Sequence, residues 1–464
     1  MEGLLSDARI KYVVYHLRNH VALSDQLLSR FVFSQESLAN ESGKIIFKLS
    51  GSPLTANQII EVNSTPVLFP LSDKTVFYTL DSNGNLIFEH DILKSAFYLL
   101  SGYQEYTNKT SQDKLKRFAF EDSIQCKLNI ASIPVVNYYF EVICEALEKF
   151  CQLHKLEFRK TRLFPSFGFQ LSHDIDRVDL YTIPYIGYKL KEVLRRVKTP
   201  LSLGTNTRLL VSGTLKYLGI LRKDNPYWNF NLLRKLEREH NFRSIFFFLD
   251  QGVKHADAYY SFHEERVKKL FRYLQEEGCE IALHGPVRSL SSQDTMIASL
   301  AKLKEASQAP VIGNRQHRLL WSHPETAVIE SRAGLQYDST LGFAAHEGFR
   351  NSYCYPFRIF DFANDKMLDV WEFPLTVMDG TLLSYRSLTN QEALQKCKDL
   401  IREVKKFGGL FTLLWHNSFF DEDVYPGVQK LYEDILTATS EQRPECVLGH
   451  ELLSRMKNLT AAYD

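Results

Sequence analysis

The chain has 464 residues, 44% hydrophobic and 24% charged, with a net charge of +1. By length this is a globular protein of two to three domains, and nothing in its charge points to nucleic acid. No apolar run approaches the ~20 residues that span a bilayer, and residues 1–7 lack the basic-then-apolar order of a signal peptide, so the expectation is a cytoplasmic protein with no transmembrane segment.

Residues 1–160 read as a smaller mixed α+β unit. Ile45-Ile-Phe-Lys-Leu49, Val76-Phe-Tyr-Thr-Leu80 and Leu86-Ile-Phe88 have strand character, and Asp81-Ser-Asn-Gly-Asn85 is a hairpin turn signal. Asp91 is placed to cap a helix through Leu100, and the spacing of apolar residues over 134–153 predicts a long amphipathic helix. Ser42-Gly43-Lys44 is not a phosphate loop, because no Gly-rich run precedes it. Seven cysteines without a Cys-x-x-Cys pair exclude a disulfide framework or a cysteine zinc site and read as buried free thiols.

From Phe167 onward, buried strands (167–172, 244–249, 280–284, 311–315, 335–338, 368–375 and 409–415) alternate with helices (229–240, 263–277, 293–307, 325–333, 390–407 and 427–438). That alternation argues for a parallel sheet covered by helices. The number of units suits an open or incomplete (β/α) barrel, although a doubly wound sheet gives a similar pattern. A basic insertion at about 180–225 interrupts the alternation, with nine Lys or Arg and one acid between 189 and 223. It reads either as a solvated basic face or as a contact for an anionic substrate or a membrane surface.

Polar residues gather at the strand ends, where α/β folds build active sites. The first strand closes in Ser172-His173-Asp174-Ile175-Asp176, and i, i+2 spacing points both carboxylates one way. Two such carboxylates either share a cation or a proton, or are simply a solvated strand end. His284 ends another strand. Arg315 and His317 share a direction if their segment is extended, Tyr337-Asp338-Ser339-Thr340 follows, and Gly409 to Trp415 leads into His416 and Asn417. These types suit metal-assisted hydrolysis, which needs about three His or carboxylate ligands, a carboxylate base and a His acid.

In order and content these motifs resemble the polysaccharide deacetylase superfamily (carbohydrate esterase family 4, NodB-homology fold). The resemblance covers roughly residues 165–440. It is closest to a bacterial branch with Asp-Ser-Thr-Leu-Gly (338–342), His-Glu-Gly-Phe-Arg (346–350), Pro-Leu-Thr-Val-Met-Asp (374–379) and Leu-Leu-Trp-His-Asn (413–417). Residues 96–106 resemble an uncharacterised domain that precedes such deacetylases, which implies no activity for it. The resemblance implies a distorted seven-stranded (β/α) barrel and a metal-dependent hydrolase of N-acylated sugars. The substrate would be an oligosaccharide or a surface-polysaccharide precursor, free or carrier-linked, with peripheral membrane contact one option. It implies Asp174 as catalytic base, His416 as general acid, Arg315 as the residue steadying the base, and Asp176 and His284 as ligands of a divalent metal, zinc first among them. It also implies substrate contacts from Asp338, Arg350, Trp415, Asn417 and Arg318. One departure stands out: Arg288 occupies the expected position of a second metal His. His317 is the candidate replacement, His323 a weaker one. Alternatives are a carbohydrate-binding pseudo-deacetylase and an amidohydrolase of a non-sugar amide.

Overall fold

The computed structural model describes residues 3–35, 41–55, 58–197, 201–221, 225–252 and 257–461. Lys198, Arg222 and Lys223 of the basic insertion lie outside the described residues. The N-terminal strands are β1 (Phe31–Ser34), β2 (Ile45–Lys48), β3 (Ile60–Val62), β4 (Thr65–Val67), β5 (Tyr78–Leu80) and β6 (Leu86–Phe88). A four-stranded sheet has the order β1-β2-β6-β5, and β3 and β4 form a separate antiparallel pair. The β5–β6 turn forms as the sequence predicts: the Asp81 carboxylate accepts the N–H groups of Asn83 and Asn85, and Gly84 takes the positive φ of +73°. Asp91 accepts the N–H of Lys94 at 2.8 Å and starts the helix Ile92–Leu100.

The larger sheet contains β7 (Gly168–Ile175), β8 (Ser244–Leu249), β9 (Glu280–Gly285), β10 (Gly313–Gln316), β11 (Tyr337–Asp338), β12 (Phe357–Asp361), β13 (Lys366–Glu372), β14 (Val377–Met378), β15 (Leu410–Leu414) and β16 (Glu445–Cys446). Its order is β12-β13-β11-β10-β9-β8-β7-β15-β14, with β16 beside the start of β7. Neighbours from β13 to β14 are parallel, and β12 is antiparallel to β13. β7, β8 and β9 are buried along their whole length, as strands covered on both faces must be.

Two expectations need correction. The sheet has ten strands rather than seven, and among the described residues no pairing joins β12 to β14, so it curls into an open half-barrel. β11, β14 and β16 have two residues each, too few to register as apolar runs. The first strand does not stop at 172: pairing with β8 carries it through Ile175, so Asp174 lies within β7 and Asp176 just beyond it.

The N-terminal unit has its own sheet, but its apolar core runs without a break into that of the larger sheet. Helix Asp7–Leu17 carries Tyr12, whose hydroxyl donates to the carbonyl of Arg358 at 2.9 Å. Its His16 accepts the Arg358 N–H on Nε2 at 3.1 Å. All seven cysteines are free, five of them buried and Cys126 and Cys446 half-buried. Among the described residues, no helix is long and apolar enough to cross a membrane.

Candidate metal centre and active site

Three ligand atoms converge at the C-terminal ends of β7, β9 and β10. Asp176 Oδ1 stands 3.4 Å from His284 Nε2, and Asp176 Oδ2 stands 4.0 Å from His317 Nε2. One ligand atom from each of these residues falls within 4.8 Å of the others. Both imidazoles are oriented from behind. His284 Nδ1 lies 2.7 Å from the Arg315 carbonyl, and His317 Nδ1 lies 2.8 Å from the Asp257 carboxylate. Those acceptors fix the proton on Nδ1 and leave both Nε2 lone pairs aimed at the gap, the usual arrangement around a metal. Asp176 Oδ1 is buried and has no hydrogen-bond partner, a costly state unless a cation sits against it. The residues therefore fit a divalent ion. His317 arrives differently from the expectation: β10 ends at Gln316, and His317 enters the cavity from the turn His317–Leu319, in which Arg318 has φ +64°.

Beside this triad lie a carboxylate, Asp174, and an imidazole, His416. Arg315 donates to Asp174 Oδ1 at 2.8 Å and to Ser172 Oγ at 3.0 Å. It also donates to the Ser339 carbonyl at 2.7 Å and stacks 4.2 Å over Phe247. Burial would raise the Asp174 pKa, but Arg315, His284 and His416 outweigh it, so the carboxyl is held below its ordinary value. Asp174 Oδ2 remains toward the cavity, 3.5 Å from His284 Nε2. Across from it, His416 Nδ1 lies 2.7 Å from Asp379 Oδ1, and Asp379 Oδ2 accepts the His416 N–H at 2.5 Å. Burial alone would lower the imidazole pKa. Asp379, with Asp176 and Asp174 behind it, reverses this and lifts it to about 10.

Asp174, Asp176, Asp257, His284, His317 and His416 line a cavity of about 380 Å³ that also includes Arg318, Tyr385 and, from the N-terminal unit, Leu115 and Arg117. A second cavity of about 490 Å³ shares Leu115, Arg117 and Tyr385 with it and is walled by Phe118, Phe120 and Phe343.

The structure thus brings Asp174, Asp176, His284, His317, His416 and Arg318 to one cavity, with Arg315 directly beneath. The other expected substrate contacts lie elsewhere. Asp338 is fully buried in register with Asn314 and Glu372, and burial raises its pKa and those of Glu330 and Glu372. Trp415 is fully buried. Asn417 donates to the carbonyls of Arg177 and Tyr227, both at 2.7 Å, and so ties down loops. Arg350 forms a two-pronged pair with Glu105, at 2.8 and 2.6 Å, and borders the second cavity. Arg288 is exposed in the turn Val287–Leu290, and His323 binds the Ser101 carbonyl away from the cavity. Sequence reasoning passed over Asp257, Asp379, Arg117 and Tyr385. Asp379 had a signal, because it closes the Pro-Leu-Thr-Val-Met-Asp motif. Asp257 lies between β8 and the helix Glu265–Glu276, outside every strand and motif marked in the sequence, and had none.

Residues 6–152 match a family of unknown function, DUF7033. No curated protein matches the chain. Among solved structures the chain is similar to a Mycobacterium smegmatis protein designated a polysaccharide deacetylase, at 18% identity and TM-score 0.41 over 64% of this chain and 91% of that one. It is also similar to Puue allantoinase, at 14% identity and TM-score 0.41 over 63% and 90% of the two chains. A third is a family 4 carbohydrate esterase from Streptomyces lividans, at 10% identity and TM-score 0.31 over 61% and 93%. With likeness at this level, the chemistry rests on the chain's own residues.

Proposed function

We propose that this protein is a metal-dependent hydrolase that removes an N-acyl group from a sugar. The observation that carries the reading is the convergence of Asp176, His284 and His317, each imidazole anchored through Nδ1 and the carboxylate holding an unpartnered buried oxygen. Two His and one carboxylate are a common donor set for catalytic zinc, which makes zinc the first candidate. A bound divalent ion supplies a lowered water pKa and polarisation of the amide carbonyl. The protein's own groups then divide the proton work. Asp174, kept ionised by Arg315, accepts the proton of the attacking water. His416, kept protonated by Asp379, donates to the nitrogen of the departing amine. The sugar as substrate follows from the motif resemblance. The non-catalytic alternative loses its main support, since His317 offers the ligand that Arg288 cannot.

The test is release of acetate from N-acetylated oligosaccharides by zinc-loaded protein, with Asp174→Asn as control. Turnover should fall roughly 10²–10⁴-fold while metal content and folding persist, the usual scale for a general base. Metal-loaded wild-type protein as slow as Asp174→Asn across a panel of N-acetylated sugars would reject the assignment.

A further inference from the structure

The basic insertion after β7 folds into two helices, Ile183–Val193 and Leu203–Tyr217, packed on each other. Their burial departs from that of helices that face water, with polar groups among the buried positions and large apolar side chains among the exposed ones. The inward positions hold the Lys189–Glu192 ion pair (2.7 Å), Asn206, Leu209 and Gly213, all buried. Gly213 has no room for a side chain, because a Cβ there would stand 2.6 Å from the Tyr185 ring. The outward positions mix large apolar side chains (Ile183, Tyr188, Leu190, Leu203 and Val211) with Lys191, Thr207 and Arg208. Ile183, Leu190 and Leu194 fall at i, i+7 and i+11, a single stripe along the first helix. Past the second helix, Leu218 and Ile220 are 61% and 66% exposed. Ten of the twenty exposed large hydrophobic side chains among the described residues fall within 183–221. This concentration in one short hairpin marks an interaction surface rather than scattered exposure.

Charge identifies what the surface meets. Residues 183–221 contain seven Lys or Arg and one acid, Glu192, which Lys189 already neutralises. Lys191, Arg195 and Arg196 are exposed beside the aliphatic stripe. Aliphatic side chains flanked by exposed cations are the pattern of a segment lying in the headgroup region of an anionic bilayer. The hairpin springs from the strand that carries Asp174, and its Arg208 pairs at 2.9 Å with Asp423, seven residues beyond His416. We propose that this helical hairpin docks the protein on an anionic lipid surface, its aliphatic side chains in the headgroup–acyl boundary and its cations against lipid phosphates. The inference does not depend on the reaction catalysed.

The experiment is co-sedimentation of the full-length protein with phosphatidylglycerol–phosphatidylcholine vesicles and with phosphatidylcholine vesicles alone. Binding should require the anionic lipid and should weaken between about 0.1 M and about 0.5 M salt, as screening shortens the Debye length. Arg195→Glu with Arg196→Glu should lower the partition coefficient roughly tenfold or more. Leu218→Ser with Ile220→Ser should do so roughly tenfold as well. All four side chains are exposed, so unchanged metal content and melting temperature should accompany the loss. Equal partition onto neutral and anionic vesicles, or no binding to either, overturns the proposal. A stable dimer that Leu218→Ser with Ile220→Ser dissolves, without vesicle binding, also overturns it and assigns the face to a second copy.

Discussion

Asp379 raises the His416 pKa by touching the residue twice, once at the ring and once at the backbone N–H. In its proposed role as general acid His416 works in its protonated form, so turnover should fall as pH rises through its pKa. Asp379→Asn removes the charge that raises this pKa and should move the alkaline limb of the kcat–pH profile to lower pH. An alkaline limb that stays in place would take His416 out of the acid role. The proposed metal ligands make a second residue-level case. His317→Ala should lower metal affinity by orders of magnitude. Asp257→Ala, which leaves the ligand but frees its Nδ1 proton, should lower it roughly 10–100-fold. Arg288→Ala should change nothing, because that side chain is exposed in its turn. Isothermal titration with zinc ranks the three, and wild-type affinity in His317→Ala would leave the triad without its third member.

At the scale of elements, the segment between residues 111 and 121 joins the N-terminal unit to the cavity. Arg117 is buried and pairs with Asp113, and it donates to the Arg318 carbonyl at 3.2 Å and the Tyr385 hydroxyl at 3.1 Å. It forms part of the wall between the two cavities, so a substrate larger than one sugar ring would cross it. Arg117→Ala should raise KM for oligosaccharides more than for a single N-acetylated sugar, with metal affinity unchanged. Equal KM changes for both substrates would confine Arg117 to a structural role. β10 has the complementary element-level lesson. All four of its side chains are polar or absent and all are buried, because they serve neighbouring elements: Asn314 donates to Glu330 of the helix Glu325–Ala333 at 2.7 Å, and Arg315 braces β7 through Asp174. Such a strand leaves no apolar pattern to read, and only its flanking Val311 and Ile312 suggested it.

At the scale of the whole molecule, the junction between the two sheets contains two buried histidines. Burial holds the His16 and His20 pKa values at about 3. His16 Nδ1 lies 2.8 Å from the Tyr12 carbonyl while Nε2 accepts the Arg358 N–H, which requires the neutral ring. His20 Nε2 lies 3.0 Å from the Tyr353 hydroxyl. In the unfolded chain both bind protons below about 6.5. The folded state binds fewer protons between pH 6.5 and 3, so the stability present above 6.5 is lost as pH falls through that window. Thermal melts should therefore drop from pH 7 to pH 5, and His16→Gln with His20→Gln should flatten the dependence. A wild-type melting temperature that holds steady over that range would contradict the buried neutral state.

The sequence by itself determined the alternation of strands and helices after residue 167, because buried parallel strands must be apolar and their covering helices amphipathic. It also located Asp174, Asp176, His284 and His416, since residues that end strands of one parallel sheet emerge at the same edge. Tertiary structure alone decided the rest. The strand count depended on two-residue pairings that have no periodicity. The entry of His317 depended on a left-handed turn at Arg318, and the anchoring of both candidate ligand histidines depended on a backbone carbonyl and a distant carboxylate. Asp338, Trp415 and Asn417 belonged to the same motifs as the cavity residues, yet packing turned them inward, because motif position fixes where a side chain starts and its neighbours fix where it points.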